Sequence, residues 1–453
     1  NHQTNIGYPF AKAKLDSVFF DDNKLYASLY IENGRYFTFD SISMEGKLNI
    51  SRNFLYKFLD IKPNENYAHD KVIKASSRLN DLQYARQIKE PFVRFINDKA
   101  TLVLNLDPKP ASRFDFLIGV LPVRNVDGSR KWNITGDFTA ELNNSFEQGE
   151  YIFLQFKRLK AENLELQVKS TLPYIVGLPV GSHLDFRIFK NASQNIDLYF
   201  DGGLQYLFGG FNNLKLYGSY RSSRLLEINT IQISSSGKLP AKLDVSYSGA
   251  GLGVSLRKLD YRFNPSKGYS LDINTIIGSK KILQNITITQ LEGFENSYDT
   301  LKLKTLQADI DATLAYFRPL GNWATIKVGG SMGLRYNQQQ IRENELMRIG
   351  GSKLLRGFDE ESILTDLYMF GTLEFRFLFD RNSYLSIPFI DYGATRVVID
   401  GNMVMDKVIG VGMGLNFGTS AGIFNLSFAA GKNLNNPWDF GKMKIHFGYV
   451  NLF

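Results

Sequence analysis

The chain has 453 residues, 43% of them hydrophobic and 13% aromatic, including 35 Phe and 23 Tyr, and its mean hydropathy is -0.19. No run approaches the roughly 18 apolar residues of a spanning helix, so a helical membrane protein is excluded; a membrane β-barrel, whose strands alternate lipid-facing and lumen-facing residues, is not. Cysteine is absent, which rules out disulfides and thiolate metal sites, and the formal charge of +8 comes from Lys and Arg spread along the chain rather than clustered on a helix or tail, so nucleic acid is not an expected partner.

A chain of this length calls for two or more units. No signal peptide is visible at Asn1, as expected of a processed or truncated chain. Residues 1–33 hold Gly7-Tyr8-Pro9-Phe10-Ala11 and two short strand-like runs that end at Asn33-Gly34. A strand follows at 36–46. A helix opens at Ser51, which suits an N-cap, and runs to 59. A second, at 68–82, places Val72, Ile73, Ala75, Leu79 and Leu82 at helical spacing. Strands at 92–96 and 100–106 are joined by the turn Asn97-Asp98-Lys99, and Pro108 with Pro110 marks a boundary.

From about 164 onward the apolar/polar alternation has period 2 and persists, best between Leu301 and Tyr316, where Lys302, Lys304, Gln307, Asp309, Asp311 and Thr313 are mostly the polar alternates. Sixteen strand candidates start near 114, 131, 150, 163, 183, 195, 211, 241, 268, 304, 321, 367, 383, 405, 421 and 440. An even count lets an antiparallel sheet close, and many of these runs exceed the 5 to 6 residues of a sandwich strand. Short turns, as at 209–212, 318–322, 380–382 and 418–420, alternate with longer loops at about 220–240, 278–303 and 338–366. That alternation is the pattern of outer-membrane barrels, with the short turns and both barrel ends in the periplasm.

No enzymatic constellation emerges. His2, His69, His183 and His446 are isolated, without a second ligand at metal-binding spacing, and no Gly-x-Ser-x-Gly elbow occurs in a strand-to-helix setting. Asp309 and Asp311, on one face of a strand, read as lumen wall rather than as a carboxylate pair. The most informative run is Gly350-Gly351-Ser352-Lys353-Leu354-Leu355-Arg356-Gly357-Phe358, on a loop long enough to be functional. After it come Gly371-Thr372-Leu373-Glu374-Phe375-Arg376-Phe377, then Phe389-Ile390-Asp391-Tyr392-Gly393, and a final strand at 443–453 that ends on Phe453.

In this order the motifs resemble the C-terminal barrel of the BamA, TamA and two-partner-secretion transporter superfamily; Asp260-Tyr261-Arg262 with Pro265 and Gly268 is similar to that superfamily's turn between strands eight and nine. The strand-helix-helix-strand-strand order near the N-terminus resembles a polypeptide-transport-associated (POTRA) domain. The resemblance implies a mostly β fold: the last part of a preceding POTRA at 1–33, one POTRA at 34–110, and a sixteen-stranded antiparallel transmembrane barrel at 111–453. It implies that the Arg356-Gly357-Phe358 loop folds into the lumen, where Arg356 meets Asp391 with Glu374 nearby, and that Arg376, Phe389 and Gly393 complete the motif. A guanidinium in a confined lumen needs such a carboxylate. Parity groups Asp391 with Leu385, Ile387 and Phe389, so either those residues also face the lumen or a bulge shifts the strand.

The family likeness further implies a lateral seam between the first strand (Phe114, Phe116, Gly119) and the last (Phe447, Gly448, Phe453), an outer-membrane location with POTRA in the periplasm, and no cofactor, metal or catalytic residue. Its expected partners are unfolded outer-membrane or exported proteins, outer-membrane lipids, and periplasmic or lipoprotein accessory subunits. Two functions fit: an insertase that releases clients through the seam, or a secretion pore that exports a dedicated partner. A passive porin would need neither POTRA nor the Arg356 loop.

Overall fold

The structure is a computed structural model. It describes all residues except 1, 23, 125–129, 159–162, 176–177, 209–211, 261–263, 352–353, 360, 381–382, 400, 420–421, 434–437, 439–442 and 451–453; at 115–124, 130–137, 399, 422 and 446–450 it describes the backbone alone. Strands β1 (Lys12–Asp21) and β2 (Lys24–Glu32) form an antiparallel hairpin that is exposed throughout. Next come β3 (Thr38–Glu45), α1 (Arg52–Leu59), α2 (His69–Asp81), β4 (Ala85–Ile96) and β5 (Lys99–Pro108). The sheet order is β3-β5-β4, with β3 parallel and β4 antiparallel to β5. A parallel pair needs a crossover, and α1 and α2 supply it.

Helical spacing turns Phe54, Leu55, Phe58 and Leu59 of α1 and Val72, Ala75 and Leu79 of α2 onto the sheet, where Phe39, Ile42, Leu102 and Leu104 complete one apolar core. Each such large side chain contributes about 1.5–3 kcal/mol by leaving water. Two details differ from the sequence reading. Ser51 has the extended backbone of an N-cap, but its hydroxyl makes no capping bond; its N–H instead donates to the Glu147 carbonyl at 2.7 Å. Strand β4 begins at Ala85 rather than near 92, because register shifts between Gln87 and Phe92, around Pro91, break the alternation that would have revealed it.

The barrel strands are β6 (Arg113–Arg124), β7 (Arg130–Asn143), β8 (Tyr151–Arg158), β9 (Leu164–Leu172), β10 (Gly181–Asn191), β11 (Asn195–Leu207), β12 (Asn213–Leu225), β13 (Val245–Leu259), β14 (Gly268–Ile282), β15 (Lys304–Leu320), β16 (Ala324–Asn337), β19 (Leu367–Leu378), β20 (Tyr384–Ile399), β21 (Asn402–Thr419), β22 (Gly422–Lys432) and β23 (Lys444–Val450). They form one sixteen-stranded antiparallel sheet in chain order, interrupted only by the hairpin of β17 (Met347–Ile349) and β18 (Ile363–Thr365) within the long loop. Every neighbouring pair in the sheet order is joined by a ladder. The two end strands, β6 and β23, approach within 8 Å between Cα atoms, yet no ladder joins them among the described residues.

Burial on these strands is inverted relative to a soluble protein. On β15, Thr305, Gln307 and Asp309 are buried while Leu306, Leu314 and Tyr316 are exposed; Leu184, Leu204, Leu216, Ile277, Val328 and Leu373 are likewise exposed on their own strands. The N-terminal unit packs against the connections between β7 and β8 and between β9 and β10, at the end of the sheet that also carries the short turns before β12, β16 and β20: Phe54 meets Tyr174, Lys57 Nζ donates to the Ile175 and Leu178 carbonyls at 3.1 and 3.0 Å, and Asn143 holds the Ala111 carbonyl at 2.7 Å. At the opposite end, the connections between β12 and β13 and between β14 and β15 carry the short helices α3 (Thr230–Ser236) and α4 (Ile286–Thr289). These pack through Ile233, Leu243, Ile288, Phe294 and Tyr298 into a cap with its own apolar core. Each is capped by an asparagine, Asn229 or Asn285, a signal the period-2 reading passed over.

Candidate functional site

The residues that face inward from β16, β19 and β20 build the site. Thr372, Glu374 and Arg376 occupy alternate positions of β19, which period-2 geometry turns to one side, and Lys327 of β16 sits directly across from Glu374. Glu374 is fully surrounded by cations: Arg376 Nε at 2.9 Å, Arg356 at 3.3 Å and Lys327 at 3.6 Å. Asp391, 1% exposed, comes from β20. A bulge between Ser386 and Phe389 changes the phase of that strand, so Ile387 is exposed while Phe389 and Asp391 are both buried. Of the two explanations of Asp391's parity, the bulge is the one realised.

The loop between β17 and β18 descends onto this wall. Arg356 meets Asp391 with both prongs of its guanidinium, Nε to Oδ2 at 2.8 Å and Nη2 to Oδ1 at 2.7 Å, while its backbone N–H donates to the same carboxylate at 3.2 Å. Thr372 Oγ1 donates to Asp391 Oδ1 at 2.8 Å, and the guanidinium lies over the Phe389 ring at 3.6 Å. Bidentate geometry fixes orientation as well as energy, and stacking uses the planarity that lysine lacks. Arg376 is held in turn between the rings of Tyr384 and Phe317, at 4.4 and 5.2 Å.

The backbone reaches the wall because side chains are missing there. Gly357 has φ +91, and a Cβ on it would lie 2.6 Å from the Ala430 carbonyl carbon. A Cβ at Gly410 would collide with the Arg356 carbonyl, and one at Gly412 would lie 2.6 Å from the Phe389 ring. Gly410, Gly412 and Gly414 recur with period 2 along β21, so one face of that strand is a shallow groove. This signal was open to sequence reasoning and went unused, as did the alternate positions that place Thr372 beside Glu374. Phe358, 4% exposed, anchors the loop in an apolar cluster with Ile349, Leu355, Tyr368, Phe370 and Val408. Gly393 belongs to the strand pairing instead: a Cβ there would collide with Phe370. Asp359, just past the motif, pairs with Lys444 of β23 at 2.8 Å.

Among the seam residues, Phe114 is half-exposed and stacks on Phe138, with centroids 6.3 Å apart. Phe116 and Gly119 lie on β6 and Phe447 and Gly448 on β23, where the backbone alone is described; Phe453 lies outside the described residues. Asp309 meets Arg335 at 3.0 Å through both oxygens and also pairs with Arg221, while Asp311 is exposed to a lumenal cavity. Among the described residues no cluster of three or more His, Asp or Glu suits a metal ion.

The fold has solved counterparts. BamA from Haemophilus ducreyi, in a form lacking POTRA domains 1–3, superposes with a TM-score of 0.55 at 15% identity, covering 100% of this chain and 91% of its own. CdiB from Acinetobacter baumannii gives 0.59 at 15% identity, covering 99% and 79%, and CdiB from Escherichia coli gives 0.58 at 11%, covering 99% and 82%. No curated protein matches the sequence. The profile of the Omp85 superfamily domain matches residues 144–453, which take in the barrel strands from β8 onward, the Arg356 loop and its carboxylate partners; the chain therefore belongs to the Omp85 superfamily, outer-membrane proteins that transport or insert other proteins.

Proposed function

We propose that this chain is a BamA-like assembly factor: it receives unfolded clients through an N-terminal POTRA domain in the periplasm and inserts them into the outer membrane through a lateral seam between β6 and β23. The observation that carries this reading is the contrast in pairing around the sheet. Every other neighbouring pair of strands is zipped by a ladder, whereas β6 and β23 lie side by side without one among the described residues. A pair of strands that is close but not zipped can be opened for little free energy, and each offers an unpaired edge on which a client strand can template.

The POTRA assignment of 34–110 is supported by its β-α-α-β-β order around a central β5, and its periplasmic placement by its packing on the short-turn end of the barrel. The residues before 34 are read as the end of a preceding POTRA, on the strength of the exposed β1–β2 hairpin. In this reading the Arg356–Asp391 clamp holds the long loop inside the barrel, so that clients leave sideways. A secretion pore is the second reading, favoured by the polar lumen, where cavities of about 300 and 340 Å³ flank the loop. Depletion of the protein from its host, followed by outer-membrane proteomics, separates the two. General loss of barrel proteins supports the insertase, and loss of one exported protein supports the pore.

A further inference from the structure

The Arg356 clamp is one end of the long loop's attachment. The other end begins where the loop leaves β16, in the turn Glu343–Glu345. Asn344 is buried and its amide is saturated: Nδ2 donates to Ser223 Oγ at 2.8 Å and to the Leu243 carbonyl at 2.9 Å, and Oδ1 accepts from the Leu243 N–H at 3.3 Å. Glu345 forms an ion pair with Lys280 in which the two side chains are 8% and 2% exposed, and its carbonyl receives Arg335 Nη1. Glu343 adds a backbone bond to Ala241 at 3.2 Å and an ion pair to Lys242 at 3.3 Å. The turn is therefore bolted to β12, to the cap loop before β13, to β14 and to β16. Eleven residues later Arg356 is bolted to β19 and β20. Between these points Met347–Ile349 lines the two lumenal cavities, Met347 contributing to each.

We infer that Glu345, Lys280 and Asn344 form an outer lock, distinct from the Arg356 clamp, that braces the long loop across the barrel and keeps the outer end of the lumen shut. The inference rests on the reading of the sheet as a membrane barrel, but not on the route a client takes. The two attachments differ in kind. The Arg356 end is set into a glycine groove of the wall and stacked on Phe389, so it stays with the barrel. The turn 343–345 is tied to the cap through Ala241, Lys242 and Leu243 and to the barrel strands through Ser223, Lys280 and Arg335, so it is the bonds to the strands that must break when the lock opens. A buried ion pair whose members share further hydrogen bonds has two discrete arrangements, made or broken, and removing one partner leaves an uncompensated charge that favours the broken state.

The test is conductance of the purified 453-residue chain in planar lipid bilayers. Lys280→Met should raise the fraction of time spent conducting by about tenfold or more, and the charge swap K280E with E345K should bring it back toward the native value. Asn344→Ala should act in the same direction as Lys280→Met. Heat-modifiable electrophoretic migration establishes that each variant has formed the barrel; if Lys280→Met fails to form it, Asn344→Ala decides alone. Native-like conductance in the folded variants would overturn the lock. Failure of the native chain to insert into the bilayer at all would instead count against the membrane-barrel reading.

Discussion

The N-terminal unit and the barrel bury opposite chemistry. The unit of β3–β5 with α1 and α2 withdraws Phe39, Leu55, Leu79 and Leu104 from water; the barrel turns Leu306, Leu314 and Leu373 outward and encloses Glu374, Asp391, Arg376 and Lys280. The first is stabilised without direction by apolar area, and a similar-sized substitute serves nearly as well. The second is directional: each enclosed charge must find its partner at the right distance, and a missing partner is costly. The proposed clamp and lock both belong to the second region, whose contacts have discrete made and broken states that a well-packed apolar core lacks.

Four substitutions sharpen this contrast, from the largest effect to the smallest. Asp391→Ala removes the acceptor of the Arg356 fork, of its backbone N–H and of Thr372, and should cost about 3–5 kcal/mol of loop docking. Client insertion should fall about a hundredfold and the loop should become protease-sensitive, with heat-modifiable migration of the barrel retained, because the ladders between neighbouring strands, rather than the clamp, hold the sheet together. Leu55→Ala should destabilise the N-terminal unit by about 2–5 kcal/mol, read as a lowered first transition in thermal unfolding, and leave the barrel transition in place. Arg356→Lys keeps the charge but loses the planar fork and the stack on Phe389. A loss of about 1.5–3 kcal/mol is expected, so insertion should lie between the native and Asp391→Ala levels. Asp359→Asn breaks the exposed pair with Lys444 and should cost no more than about 1 kcal/mol, an effect that salt erases. If Asp359→Asn matched Asp391→Ala, the distinction between enclosed and exposed charge would fail.

The same contrast explains what the sequence disclosed. Barrel strands follow a single rule of alternation, so all sixteen starts predicted from periodicity fall within four residues of the observed ones, from Arg113 to Lys444. The Arg356-Gly357-Phe358 loop and its carboxylates were legible because they lie in an ordered set of motifs. The outer lock was not. Lys280 lies 65 residues before Glu345 in the chain, each of the three side chains is unremarkable among many polar lumen residues, and only the register of β14 against the turn after β16 brings Lys280 to Asn344-Glu345. The start of β4 was hidden for the converse reason, since an inserted residue erases the local period that a sequence reading depends on, whereas at Asp391 the broken parity itself pointed to a bulge as one of two explanations, and the structure has it between Ser386 and Phe389.

The central claim is that clients leave between β6 and β23, and the absence of native cysteine makes it directly testable. The two strands approach within 8 Å between Cα atoms, so cysteine pairs placed along β6 and β23 can be screened for the one that forms a disulfide. With a pair fully oxidised, the account predicts that insertion of a radiolabelled barrel client into proteoliposomes stops and that reductant restores it. Full insertion with the seam quantitatively locked would contradict the account and favour passage through the lumen.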